Sequence, residues 1–371
     1  MRRRQFLIDG LTLCTGLIAL PSVSSAFDTK QNDAILSAIK IGDRFALCKL
    51  ENNSPPQLLE LPGRAHQVLF NPNKSMVVAV ARRPQTYLTI ADAYSLEKLV
   101  QIESPKNTHF FGHACFSRDG NLLFTTEQNF ETGEGLIGIR DVRDEFRLLQ
   151  HHASHGIGPH ELATLHKLDY LVVANGGIRT HPNTGRKKLN IDSMHPNLSY
   201  IDVASGELIE QRSLSRKHHQ LSIRHIDVNK QDVVVFGSQQ QGRIHTQGSC
   251  IGKTQLGEEL RLATQLPDKQ ANTSNYVGSI RFESSGRYFA ASDPRAGLIS
   301  FWDSETMTLV NQLRSHDVCG ISPSNLAFVT SSGAGKINGY SLNQSTGKFV
   351  KQWSELIQDK GSLISFDNHL S

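Results

Sequence analysis

The chain has 371 residues, of which 38% are hydrophobic and 20% charged, and its 39 Lys and Arg stand against 35 Asp and Glu. That balance supports a packed globular core and excludes a disordered polyelectrolyte. The near-neutral charge excludes bulk nucleic-acid binding, which needs a concentrated excess of basic groups.

The chain opens Met1-Arg2-Arg3-Arg4-Gln5-Phe6-Leu7, continues with a modestly apolar run from Ile8 to Leu20, and reaches small residues at Ser24-Ser25-Ala26. Paired arginines before such a run read as a twin-arginine export signal over residues 1–26, cleaved after Ala26. Asp9, Gly10 and Gly16 make the run too short and polar for a comfortable membrane span. The expectation is a periplasmic, monomeric protein occupying residues 27–371, with no membrane span in the mature chain. Cys48, Cys115, Cys250 and Cys319 form neither a Cys-x-x-Cys pair nor a c-type haem motif. Cys115 and Cys319 read as small apolar fillers on inner strands.

From residue 64 onward the chain repeats. His66, His113 and His160 are spaced by 47 residues, each ahead of an apolar run, a turn and a second strand. Second strands follow in order at Met76–Val80, Leu122–Thr126, Leu171–Ala174, Val233–Gly237, Tyr288–Ala291 and Leu326–Thr330. Turns such as Ser117-Arg118-Asp119-Gly120 and Ser284-Ser285-Gly286 precede several of them. A period in the forties built of short strands predicts an all-β fold, a single β-propeller of four-stranded blades. Six blades fall between about residues 64 and 355. Strands from Ile39 to Leu61 are expected to join the C-terminal Ser362 to Asn368 as a seventh, closing the ring by pairing terminal edges, with six or eight blades as the alternatives.

One loop interrupts the repeat, at about residues 176–197, between the second and third strands of its blade. It is polar and rich in Gly and Pro. In an up-and-down blade this loop emerges where the first strand starts, so it is expected beside the histidines. A loop of this length in a compact fold is more often functional than idle.

The same topology gathers His66, His113, His160 and His219 near one channel mouth as candidate metal ligands, because neutral imidazoles bind iron, zinc or copper. Asn175, Arg179, His181, Arg224, Arg295 and Asp317 are candidate ligand contacts on that face, and Glu127 and Glu161 are candidate bases. Only a subset of such a ring can share one ion, given metal–nitrogen bonds of roughly 2 Å. Haem, nucleotide and quinone cofactors have no motif here.

At Gly112-His113-Ala114-Cys115-Phe116-Ser117, Ser154-His155-Gly156-Ile157-Gly158-Pro159-His160-Glu161 and Val173-Ala174-Asn175-Gly176-Gly177-Ile178-Arg179-Thr180-His181-Pro182, the sequence resembles the bacterial DUF1513 family. The likeness continues through His219–His225, Asp293–Gly297 and Asp317–Gly320 and spans nearly the whole mature chain. The resemblance implies an exported propeller without established activity, in a setting of imelysin-like periplasmic proteins that suggests iron acquisition. More distantly, the strand pattern resembles YVTN and quinoprotein-like propellers, and Phe301-Trp302-Asp303 resembles the end of a WD-type strand. Three readings stay open: a propeller that binds a metal ion, metal complex or partner protein, a metal-assisted hydrolase of lactonase type, and a pure docking scaffold.

Overall fold

The computed structural model describes residues 34–371 apart from 52–53, 83–84, 186, 243–248 and 264–273. The export signal expected over residues 1–26 lies outside the described residues. Seven four-stranded antiparallel sheets stand in a ring. Blade 1 takes its innermost strand from the C-terminus, Ser365–Leu370, and its other three from the N-terminal part, Ile35–Ile41, Arg44–Leu50 and Gln57–Leu61. Blades 2 to 7 then follow in chain order, with innermost strands Ala65–Phe70, Thr108–Phe116, Pro159–Thr164, Leu221–Val228, Ser279–Phe282 and Val318–Pro323. The seven-bladed ring and its closure by N- and C-terminal strands are as expected. Closure is continued by Leu36 and Ser371, which exchange two backbone hydrogen bonds of 2.7 and 3.0 Å.

The hydrophobic pattern explains the ring. Each second strand is buried on both faces, so it reads as a continuous apolar run rather than an alternating one. In Met76–Ala81, Val77, Ala79 and Ala81 pack toward blade 1, while Val78 and Val80 pack toward blade 3. Seven core clusters result, one for each interface between neighbouring blades. Fourth strands such as Lys98–Glu103 face solvent on the rim and are correspondingly polar.

One turn device recurs between third and fourth strands. Asp92, Asp141, Asp202, Asp303 and Asn343 each accept backbone N–H bonds from residues two or three further on. Such Asx turns are the local reason these five third strands end in Asp or Asn. Among the described residues no helix is long and apolar enough to cross a membrane. Cys48, Cys115, Cys250 and Cys319 are free, and Cys115 and Cys319 lie on innermost strands.

Candidate metal centre

Innermost strands present their side chains to the channel axis, and five of the seven present a histidine there. His66, His113, His160, His225 and His369 come from blades 2, 3, 4, 5 and 1 and are all less than 9% exposed. Ring centroids of His113 lie 4.5 Å from His369, 4.7 Å from His160, 4.9 Å from His66 and 5.9 Å from His225. Around it, the other four follow one another at 4.6 Å (His66 to His369), 5.2 Å (His369 to His225), 4.9 Å (His225 to His160) and 5.8 Å (His160 to His66). His113 thus neighbours all four of the other histidines, which follow one another around it.

Backbone irregularities aim these rings. The pairing of the first with the second strand shifts register between Ala65 and Val68, Phe110 and Ala114, Pro159 and Leu162, and Ile223 and His225. A bulge turns an extra side chain out of the ladder, here toward the axis. Gly112, at φ +104°, belongs to this device: a Cβ there would sit 2.7 Å from Cδ2 of His66, so only glycine leaves room for that ring.

Two groups of three bring their donor atoms within 4.8 Å of one another, His66 with His113 and His160, and His113 with His225 and His369. Bonds of ~2.1 Å permit nitrogen separations up to ~4.2 Å around one ion, so small ring rotations close either triad. Burial lowers the pKa of every ring: His66 falls to about 4, His113, His160 and His369 go well below the ordinary value, and His225 is lowered too. All five are neutral imidazoles near pH 7, the form that ligates metal.

Two buried carboxylates orient the rings. Asp367 Oδ1 lies 3.2 Å from Nδ1 of His66 and Glu161 Oε2 lies 3.2 Å from Nδ1 of His225. Each therefore takes the Nδ1–H and leaves Nε2 with its lone pair directed elsewhere, as in carboxylate–histidine–metal triads. Burial opposes ionisation of Glu161, but Arg281, 2.7 Å away, and the nearby His113 and His225 hold its carboxyl well below the usual range. Asp367 is likewise kept ionised against burial by the His66 hydrogen bond and by Arg64 and Arg82. Both nitrogens of His113 and His369, and Nδ1 of His160, are buried without a hydrogen-bond partner.

The remaining sequence candidates separate. His219 is not in the cluster: it caps the short 3-10 turn Arg216–His218 ahead of its strand, and its Nδ1 bonds to the carbonyl of Arg216 at 2.9 Å. Glu127 is directed into blade 3, where Arg140, His151 and Thr125 surround it at 2.7–3.0 Å. Asn175 is wholly buried and spends its amide on Ser154, Asn197 and Ser199. Arg179 lies against Gly133, and the His181 ring meets Phe130 edge-on. Arg224 donates to Ser222 Oγ at 3.1 Å, Arg295 covers the Tyr276 ring at 3.9 Å, and Asp317 approaches Gly333. The loop over residues 176–197 is rooted by Gly176 and Gly177, which donate to Gly158 and Ile157, and it closes on itself through Asn190.

Sequence reasoning missed His225, His369, Arg281 and Asp367. A signal for His225 existed. It follows His160 by 65 residues, and discounting the loop inserted between them brings that interval back near 47. For His369 the signal was topological, since the closing strand was expected to end at Asn368, one residue short of it.

A family model described as "Protein of unknown function (DUF1513)" matches residues 59–371. The chain belongs to the DUF1513 family. Four of the five histidines and the fifth, His369, near the chain end, all lie within that DUF1513 span. No curated protein matches the DUF1513 chain in sequence. Solved structures resemble it in fold. Hydrazine synthase of Kuenenia stuttgartiensis is 11% identical with a TM-score of 0.58, over 88% of this chain and 98% of that one. A chain of the mitotic checkpoint complex is 16% identical with a TM-score of 0.59, over 83% and 87%. The WD40 repeats of RRP9 are 14% identical with a TM-score of 0.58, over 83% and 84%. At these identities the likeness concerns the propeller alone.

Proposed function

We propose that this DUF1513 protein binds a transition metal ion on the propeller axis, with His113 common to every ligand set and His66, His160, His225 and His369 completing it. The observation that carries the reading is the convergence of five buried neutral imidazoles from five separate blades, several of whose nitrogens have no partner. A buried polar group left unpaired costs about 1–3 kcal/mol, so a fold that gathers several of them is supported by a ligand that satisfies them. An all-imidazole donor set suits zinc, copper or iron(II) over calcium or magnesium. Glu161 and Asp367 act as orienting groups for His225 and His66. Held ionised by Arg281, Glu161 is too weak a base to favour a hydrolase. The twin-arginine pattern at Arg2-Arg3-Arg4 supports a periplasmic site of action, and the family setting supports a part in iron handling with imelysin-like partners.

The test is elemental analysis and calorimetric titration of metal-stripped protein with Zn2+, Cu2+ and Fe2+, the last without oxygen, set against His113→Ala. Stoichiometric binding lost in the variant, with an unchanged circular dichroism spectrum, is the expected result. No binding by either protein overturns the metal reading and favours a docking surface.

A further inference from the structure

A single ion does not use all five axial histidines. Among the described residues their donor atoms fall into two groups of three and none larger, His66 with His113 and His160, and His113 with His225 and His369. Within each group the atoms lie no more than 4.8 Å apart, close to the ~4.2 Å span that two bonds of ~2.1 Å allow around one ion. Five nitrogens that do not gather within that reach cannot share one ion. An ion in the first group alone leaves both nitrogens of His369 buried without a partner, and an ion in the second alone leaves Nδ1 of His160 in that state. Such unmet groups are a standing cost to the fold.

His113 stands between the two groups. In the circle around it, His66 and His160 are neighbours on one side, and His369 and His225 are neighbours on the other. Its ring also has what a shared ligand needs, because both of its nitrogens are buried and neither makes a hydrogen bond. His369 has the same freedom but belongs to one group only. His66 and His225 have given Nδ1 to Asp367 and Glu161 and keep Nε2 alone for a metal. The two nitrogens of an imidazole point away from each other. Nδ1 of His113 lies 3.8 Å from Oε1 of Glu161, too far for a hydrogen bond. Oε2 of the same carboxylate holds His225, so Nδ1 of His113 is on the side of the second group and Nε2 is left for the first. The carboxylates are divided in the same way: Asp367 orients a ligand of the first group and Glu161 a ligand of the second.

Resting on the metal reading above, we infer that the axis holds two transition metal ions joined by the His113 ring. One ion takes Nε2 of His113 with His66 and His160, and the other takes Nδ1 of His113 with His225 and His369. A neutral imidazole carries one lone pair and one N–H, so it binds the first ion unchanged. Binding the second ion replaces the N–H proton, which leaves to water. The bridging imidazolate lowers the charge of the ion pair by one. Each ion then has three imidazole nitrogens, the protein ligand number of sites that keep a coordination position open for an exchangeable ligand.

The probe is Cu2+, loaded onto metal-stripped protein, with the copper bound per chain compared with its electron paramagnetic resonance signal at liquid-helium temperature. Two Cu2+ ions bridged by an imidazolate pair their spins. The protein is therefore expected to bind two coppers and to show less than half of the signal that two isolated ions give. His369→Ala should bind one copper and show its full signal, as should His160→Ala, each with an unchanged circular dichroism spectrum. The unaltered protein decides the question by itself if a variant fails to fold. One copper per chain at full signal, lost in His113→Ala, overturns this inference and leaves the single-ion reading standing. Two coppers at full signal overturn it as well, because the ions are then not joined through one ring. A His369→Ala protein that keeps two coppers and the weakened signal overturns the division into triads. Cu2+ is the divalent ion that nitrogen sites hold most tightly, so no copper bound overturns this inference and the metal reading together.

Discussion

Acidifying the metal-free protein from pH 7.5 to 5 charges histidines in the unfolded chain but not in the folded one. Burial holds His66 neutral down to about 4, whereas an unfolded histidine takes up its proton near ~6.5. The unfolded state then binds the extra proton, and stability falls as pH falls. Because the folded value is the depressed one, this contribution is intact above about 6.5 and declines through the window from there to about 4. For His66 alone the loss is about 2 kcal/mol at pH 5, levelling near about 3 kcal/mol below pH 4. His113, His160 and His369 are lowered in the same direction by burial and add to the same pH dependence. Glu161 and Asp367 act in a lower window. Their depressed carboxyls stabilise the fold above the unfolded value near ~4, and that contribution is lost as pH falls further. Urea unfolding followed by circular dichroism in EDTA at pH 7.5, 6.5, 5.5 and 5.0 measures the slope. The midpoint should drop steeply below 6.5, and less steeply in a His66→Phe variant. An equal midpoint at pH 7.5 and 5 would refute the claim that these imidazoles are buried neutral.

Three further outcomes are expected. Glu161→Gln removes the carboxylate bonded to Arg281 and weakens the hold on His225; it should cost about 3–5 kcal/mol in chemical denaturation and lower metal affinity about 10–100-fold by titration. Gly112→Ala forces a methyl against His66 from a backbone conformation that alanine resists, so thermal unfolding should show a loss of about 1–3 kcal/mol, accompanied by weaker metal binding; unchanged binding would mean His66 is dispensable. Burial pushes the thiols of Cys48 and Cys250 up to about 12 and those of Cys115 and Cys319 higher still. A thiol reagent at pH 8 should leave these four unmodified in the native protein and label them once urea unfolds it.

Blade number, strand order, ring closure and the inserted loop were legible because they are written in local periodicity: apolar second strands, Asx and glycine turns, and a spacing of 47 residues between His66, His113 and His160. Those three histidines converge because a repeated unit repeats its axial position. His219 does not follow the topology of the other entry histidines because it stands in a turn, ahead of the strand that begins at Leu221. The fourth and fifth axial histidines depended on more than the bare 47-residue spacing. His225 is displaced from the period by the loop within the preceding blade, and a bulge between Ile223 and His225 sets its direction. His369 and Asp367 reach the site only because the last strand of the chain becomes the innermost strand of the first blade. Which carboxylate orients which imidazole was likewise decided across blades, by Glu161 meeting His225 and Arg281, and by Asp367 meeting His66 and Arg64. The sequence by itself determined the repeating unit, since strand and turn formation depend on neighbours a few residues apart. Only the tertiary structure decided the composition of the centre, because residues 300 positions apart meet there through the closure of a ring.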